Sequence, residues 1–257
     1  MPQPRVAQPL VVHRYGNPDA PPVVLVHGLT EAGTTWPDLT RHWGDAWDVH
    51  APDLRGHGGS PRFTEDELAD TSGAMLRDLL ALLDEVGRPV ALVGHSLGGL
   101  LSLRAALARP TGVRALVLED PARPRGPVPH PEFAARNQAF LETVVAHPEA
   151  EVARMLRETT WSRAEVEAWA ACKPLVDREY VARGLALGDP AWEELFEALA
   201  VPTLLLVPPD SDMAPRDVAN PRVRTVVVPG AGHNLRRDQP ARYQEAVDAF
   251  LAETSPA

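Results

Sequence analysis

The chain has 257 residues, 44% hydrophobic and 23% charged, which is enough to bury a large core in one α/β domain. Its formal net charge of −10, with no compensating basic run, argues against nucleic acid or an anionic membrane as a partner. The single cysteine, Cys172, excludes an internal disulfide, no apolar secretory segment follows Met1, and no run approaches the roughly 20 apolar residues of a membrane helix. A soluble cytoplasmic protein acting on a small molecule is therefore expected, with its oligomeric state open. Basic residues are almost all arginine, Lys173 being the only lysine, which reads as a compositional bias.

Short apolar strands alternate with longer helical stretches, the pattern of an open, mostly parallel sheet with helices on both faces. Leu10 to Tyr15 reads as an edge strand ended by the turn Gly16-Asn17-Pro18-Asp19. Pro21 to His27 is a buried strand, Trp36 to Trp43 a short helix, and Trp47 to Ala51 the next strand. The turn Asp53-Leu54-Arg55-Gly56-His57-Gly58-Gly59-Ser60 follows, without the lysine or spacing of a phosphate loop. A long helix is expected over residues 65–86, with Leu76, Leu79, Leu80 and Leu83 on one face.

Next comes the most informative stretch. Pro89-Val90-Ala91-Leu92-Val93 reads as a strand buried on both faces, and Gly99 to Arg109 is rich in helix formers and closed by Pro110. Between them stands Gly94-His95-Ser96-Leu97-Gly98. A serine flanked by glycines at a strand-to-helix turn is a nucleophile elbow: the turn strains the serine backbone, and small neighbours let strand and helix approach closely. After the strand Val113 to Leu118 the alternation breaks. Proline-rich residues 121–131 open a region of helical patterns near 132–146, 148–159, 162–172 and 175–187. One crossover helix would suffice there, so residues 121–190 are expected to form a helical cap inserted into a core of residues 1–120 and 191–257. Phe133, Phe140, Met155, Trp161 and Trp169, with Met213 beyond the cap, are candidates for lining an apolar pocket or for holding the small helices together. The alternation resumes with a helix near 192–199, strands Pro202 to Val207 and Val223 to Val228, and a last helix from Arg237 to Leu251.

A serine hydroxyl needs a base to take its proton. Of nine histidines, His233 stands out because Pro229-Gly230-Ala231-Gly232-His233-Asn234 follows a strand and precedes the final helix. A carboxylate should orient the imidazole. Asp210, nearest the end of the strand Pro202 to Val207, is the expected acid and Asp212 the alternative; Glu119 and Asp120 offer another acid position. Oxyanion donors are expected at the backbone amides of Leu97 and Leu29, with His27 a structural partner of the Asp53-to-Ser60 turn.

Taken together, His27-Gly28, the Asp53-x-Arg55-Gly56-His57-Gly58-x-Ser60 turn, Gly94-x-Ser96-x-Gly98-Gly99 and Gly230-x-Gly232-His233 resemble the α/β-hydrolase fold family, in its esterase, lactonase, haloperoxidase-like and epoxide-hydrolase-like branch. The resemblance covers nearly the whole chain outside the cap and implies a serine hydrolase for a carboxylic ester, thioester or lactone. It implies no cofactor, and no metal-ligand spacing is visible. Two departures stand out. Pro208-Pro209 replaces the glycine usual before the acid, and a serine rather than an aspartate nucleophile argues against dehalogenase or epoxide hydrolase chemistry. A cofactor-free lyase, C–C bond hydrolase or perhydrolase on this scaffold is the alternative, and a non-catalytic small-molecule receptor a further one.

Overall fold

A computed structural model describes residues 9–126, 130–188, 191–215 and 217–255; positions 127–129 of the proline-rich stretch, like the segment after Met1, lie outside them. Seven strands form one sheet: β1 (Val12–Gly16), β2 (Pro22–Val26), β3 (Asp48–Pro52), β4 (Val90–His95), β5 (Val113–Glu119), β6 (Thr203–Val207) and β7 (Val223–Val227). Their spatial order is β1-β3-β2-β4-β5-β6-β7, with β1 antiparallel to β3 and every other pair parallel. The central strands β2, β4 and β6 are buried along their whole length, as parallel strands covered on both faces must be. The edge strands β1 and β7 are only partly buried.

Helices α1 (Pro37–Trp43), α2 (Glu65–Leu68), α3 (Thr71–Val86) and α4 (Leu97–Ala108) belong to the first half of the chain. The helix expected over 65–86 is broken in two, because Asp70 acts as a cap in mid-pattern: its carboxylate accepts the Gly73 amide at 3.0 Å. Between β5 and β6 come α5 (Pro131–Ala146), α6 (Pro148–Glu158), α7 (Arg163–Ala171) and α8 (Arg178–Arg183), then α9 (Trp192–Glu197). The helix expected over 175–187 shrinks to α8, which starts at the Asp177 cap and stops before Gly184 at φ 78°. Last are α10 (Leu235–Asp238) and α11 (Pro240–Glu253), split because Pro240 can begin a helix but not continue one. Among the described residues no helix is long and apolar enough to cross a membrane.

One core lies on each face of the sheet. Leu79, Leu100, Leu103 and Trp192 fill one, and Trp36, Leu204, Tyr243 and Phe250 fill the other. The helical insertion has a small cluster of its own, built from Val144, Met155, Val166 and Trp169. Where α4 crosses the sheet the contact is too tight for a side chain: a Cβ on Gly98 would lie 2.1 Å from the Val26 carbonyl oxygen, and one on Gly94 2.4 Å from the Gly98 carbonyl oxygen.

Two predictions follow from this packing. Gly98→Ala should lower stability by about 2 kcal/mol or more in denaturant unfolding, because the obstructing atoms are backbone and cannot rotate away. The second concerns three buried histidines, His27, His57 and His95, which burial holds below the usual imidazole range. His27 Nε2 accepts the Leu54 amide at 2.9 Å and His57 Nε2 accepts the Thr30 amide at 3.3 Å, so both must stay neutral. The unfolded chain takes up these protons near pH ~6.5 while the folded chain does so only at lower pH. Thermal midpoints should therefore fall as the pH drops below about 6.5 towards the folded-state values. A midpoint flat from neutral pH into that acid range would refute this assignment.

Candidate active site

β4 ends at His95 and α4 begins at Leu97, so Ser96 alone makes the turn between them. Its backbone is forced to φ 51° and ψ −116°, a conformation that L-residues rarely adopt. The Ser96 amide donates to the Glu119 carbonyl at 3.0 Å, and its carbonyl accepts the Ala122 amide at 2.8 Å, which ties the elbow to the end of β5. Leu97 is the first residue of α4, so its N–H has no acceptor within the helix.

His233 sits on the loop between β7 and α10, at the same end of the sheet as the elbow. Its Nδ1–H donates to Asp120 Oδ2 at 2.6 Å, which leaves Nε2 as the unprotonated ring nitrogen. The carboxylate expected at Asp210, with Asp212 as alternative, is corrected by this contact. Asp210 is exposed and outside the cavity lining, and Asp212, in the cavity wall, pairs with Arg125 at 3.1 Å rather than with His233. The loop after β6 does reach the site, but through the residue between them: the Ser211 hydroxyl donates to Asp120 Oδ1 and accepts the Met213 amide at 3.1 Å. Asp120 was legible only as one of two candidates ending the preceding strand. The missing glycine before Asp210 was the signal against the β6 loop.

The segment after β2 turns sharply. The Glu31 amide donates to the Gly28 carbonyl at 3.2 Å, with Leu29 and Thr30 inside the turn and Thr30 at φ 63°. Two histidines hold it. His27 Nδ1 donates to the Gly28 carbonyl at 2.8 Å while its Nε2 accepts the Leu54 amide, and His57 accepts the Thr30 amide. His27 thus partners the turn that follows β3, through Leu54. Asp53 ties the same region together by accepting the Gly33 and Gly59 amides, each at 2.8 Å.

A buried charge network lies behind the site. Arg236 reaches Glu119 at 3.1 Å and Glu31 at 3.0 Å; Arg237 reaches Glu165 on α7 at 2.7 Å and also Glu31. Burial alone would raise the Glu31 carboxyl, but the guanidiniums of Arg237 and Arg236 hold it well below the usual carboxylate range. His95 is neutral here. Burial, then Arg236 and His233, hold it well below the imidazole range, and its Nε2 donates to the His233 carbonyl at 3.0 Å.

Ser96, His233, Leu29 and Leu97 line one cavity of about 1140 Å³, closed on its other side by the insertion through Phe133, Trp169 and Lys173. Among the described residues no hydrogen bond joins the Ser96 hydroxyl to His233. Met213 also lines the cavity, whereas Met155 and Trp161 pack within the insertion and Phe140 packs against its cluster.

A lipase named LipV from Mycobacterium tuberculosis is 45% identical over 114 residues, a match spanning 44% of this chain and 42% of that relative. Over 93% of this chain and 97% of the relative, a putative carbamate hydrolase from Pseudomonas syringae is 30% identical. Among solved structures, a thermophilic esterase from Thermogutta terrifontis superposes with a TM-score of 0.72 at 27% identity, covering 96% of this chain and 94% of that one. The model of the alpha/beta hydrolase family matches residues 23–246, and the chain belongs to that family.

Proposed function

We propose that the protein is a serine hydrolase that cleaves a carboxylic ester, thioester or lactone of a small, largely apolar substrate. The observation that carries this reading is the 2.6 Å bond from His233 to Asp120, made in the cavity where Ser96 stands on its strained elbow. Asp120 fixes the imidazole tautomer, so Nε2 is free to take the Ser96 proton as the hydroxyl attacks the carbonyl carbon. The Leu29 and Leu97 amides receive the developing oxyanion. The imidazolium then protonates the leaving group, and the acyl-serine is hydrolysed by a water that His233 activates. The helical insertion serves as a cap, and Phe133, Trp169 and Met213 give the acyl or alcohol group an apolar wall.

A fluorophosphonate should label the protein at Ser96, as mapped by mass spectrometry, and Ser96→Ala should abolish both labelling and turnover of nitrophenyl esters. Wild-type activity in that variant would end the proposal. The acid assignment has its own test. Asp120→Asn should lower kcat by about a thousandfold or more, since the amide no longer fixes the tautomer or stabilises the imidazolium. Asp210→Asn, at an exposed position outside the cavity lining, should stay within about twofold of wild type. The reverse order in steady-state assays would return the acid to the loop after β6.

A further inference from the structure

The chain's only lysine is fully buried. Lys173 opens a short 3-10 turn, Lys173–Leu175, just past α7, and its Nζ donates to the Thr30 carbonyl at 2.8 Å. The ammonium also stands 5.0 Å from the Trp169 ring centre and 5.8 Å from that of Phe140. Among the described residues no carboxylate forms an ion pair with it; its other contact is the neighbouring Cys172 sulfur at 3.6 Å. An isolated buried ammonium is costly, and compositional bias does not explain why the one lysine lies in the cavity wall rather than on the surface.

The carbonyl it holds belongs to Thr30, the residue at φ 63° in the turn that presents Leu29 to the cavity. The core grips the other side of the same residue, because the Thr30 amide donates to His57. Cys172 Sγ adds a weak donor to the Thr30 carbonyl at 3.5 Å. The strained turn is thus clamped from below by His57 and from above by the cap.

We propose that Lys173 is a positioning residue for the oxyanion hole: by holding the Thr30 carbonyl from the cap, it keeps the Leu29 amide aimed at the tetrahedral intermediate. This rests on the hydrolase reading above. An ammonium in the wall of the same cavity also adds positive charge beside the turn that presents Leu29. The groups that act on it are Cys172 on its own turn, Glu31 on the turn it holds and Arg237 on α10; His27 and His57 on the core side feel its charge in return. Burial draws Lys173 below the usual lysine range, and Cys172 and Glu31 draw it back up.

Lys173→Met keeps the stem and removes both donor and charge. With nitrophenyl acetate and butyrate, kcat should fall at least about tenfold with KM within about twofold, because the loss is confined to the transition state. Affinity for a boronic acid that mimics the tetrahedral adduct should fall with kcat. A raised KM at constant kcat would make Lys173 a substrate-binding residue, and unchanged kinetics would make it a packing residue; either result overturns the proposal. A variant that does not fold leaves a second measurement on the wild type. With one lysine in the chain, protein labelled at lysine Cε gives a single NMR signal, expected to titrate below the usual lysine range and to shift when the boronate occupies Ser96. A signal that ignores the boronate overturns the proposal equally. Wild-type ester turnover and fluorophosphonate labelling report on the hydrolase reading separately, so the two failures are distinguishable.

Discussion

Two consecutive guanidiniums, those of Arg236 and Arg237, are the point on which the separate pieces of the site converge. Both are buried on the four-residue helix α10, immediately after the His233 loop. Their carboxylate partners come from three other places: Glu31 from the turn after β2, Glu119 from the end of β5, and Glu165 from the insertion. Arg236 also stacks 4.1 Å from the Trp36 ring centre and Arg237 4.7 Å from that of Trp161. Removing one partner from such a buried set leaves a charge that neither water nor protein compensates, typically at about 3–5 kcal/mol. The arginines therefore permit few relative placements of the four segments. One of those segments carries His233, one carries Leu29, and one leads directly into Asp120.

Backbone strain has the same address. Among the described residues, the non-glycine positions with positive φ are Thr30, Ser96 and Asp120. Each is held by partners from another segment. Thr30 is held by His57 and Lys173, Ser96 by Glu119 and Ala122 backbone groups, and Asp120 by the Leu206 carbonyl, which accepts its amide at 2.9 Å. Unusual conformations persist only where surroundings over-determine them, and they gather where geometry matters for chemistry. A relaxed backbone at Ser96 would tuck the hydroxyl away from the cavity that the fold has built around it.

Much of this was legible in the sequence. The elbow announces itself because strand, tight turn and helix each have local signatures within a few residues, Val90 to Ala108. His233 follows from the same logic, as a histidine on a glycine-rich loop just past a strand. The carboxylate partner of His233 was hidden because it depends on which of several strand ends comes within reach of a histidine more than a hundred residues away. Nothing local to Asp120 or Asp210 encodes that distance. The helix breaks at Asp70 and Pro240 were missed for a simpler reason, that a single capping residue or proline overrides an otherwise sound apolar pattern. The charge network was invisible for the same reason as the acid: its five members are scattered from residue 31 to residue 237.

The end of β5 places two acids side by side with different partners, Glu119 with Arg236 and Asp120 with the imidazole. The left-handed backbone at Asp120, φ 38°, ends the strand there and sets its carboxylate apart from that of Glu119. The pairing of Glu119 with His95 on one side and with Leu206 on the other locks the strand end in place. A slip of a single residue would move the turn with the strand and take both carboxylates away from the ring and the guanidiniums. Sheet register, usually counted as a matter of folding, is at this strand also a guarantor of which side chain meets which acid.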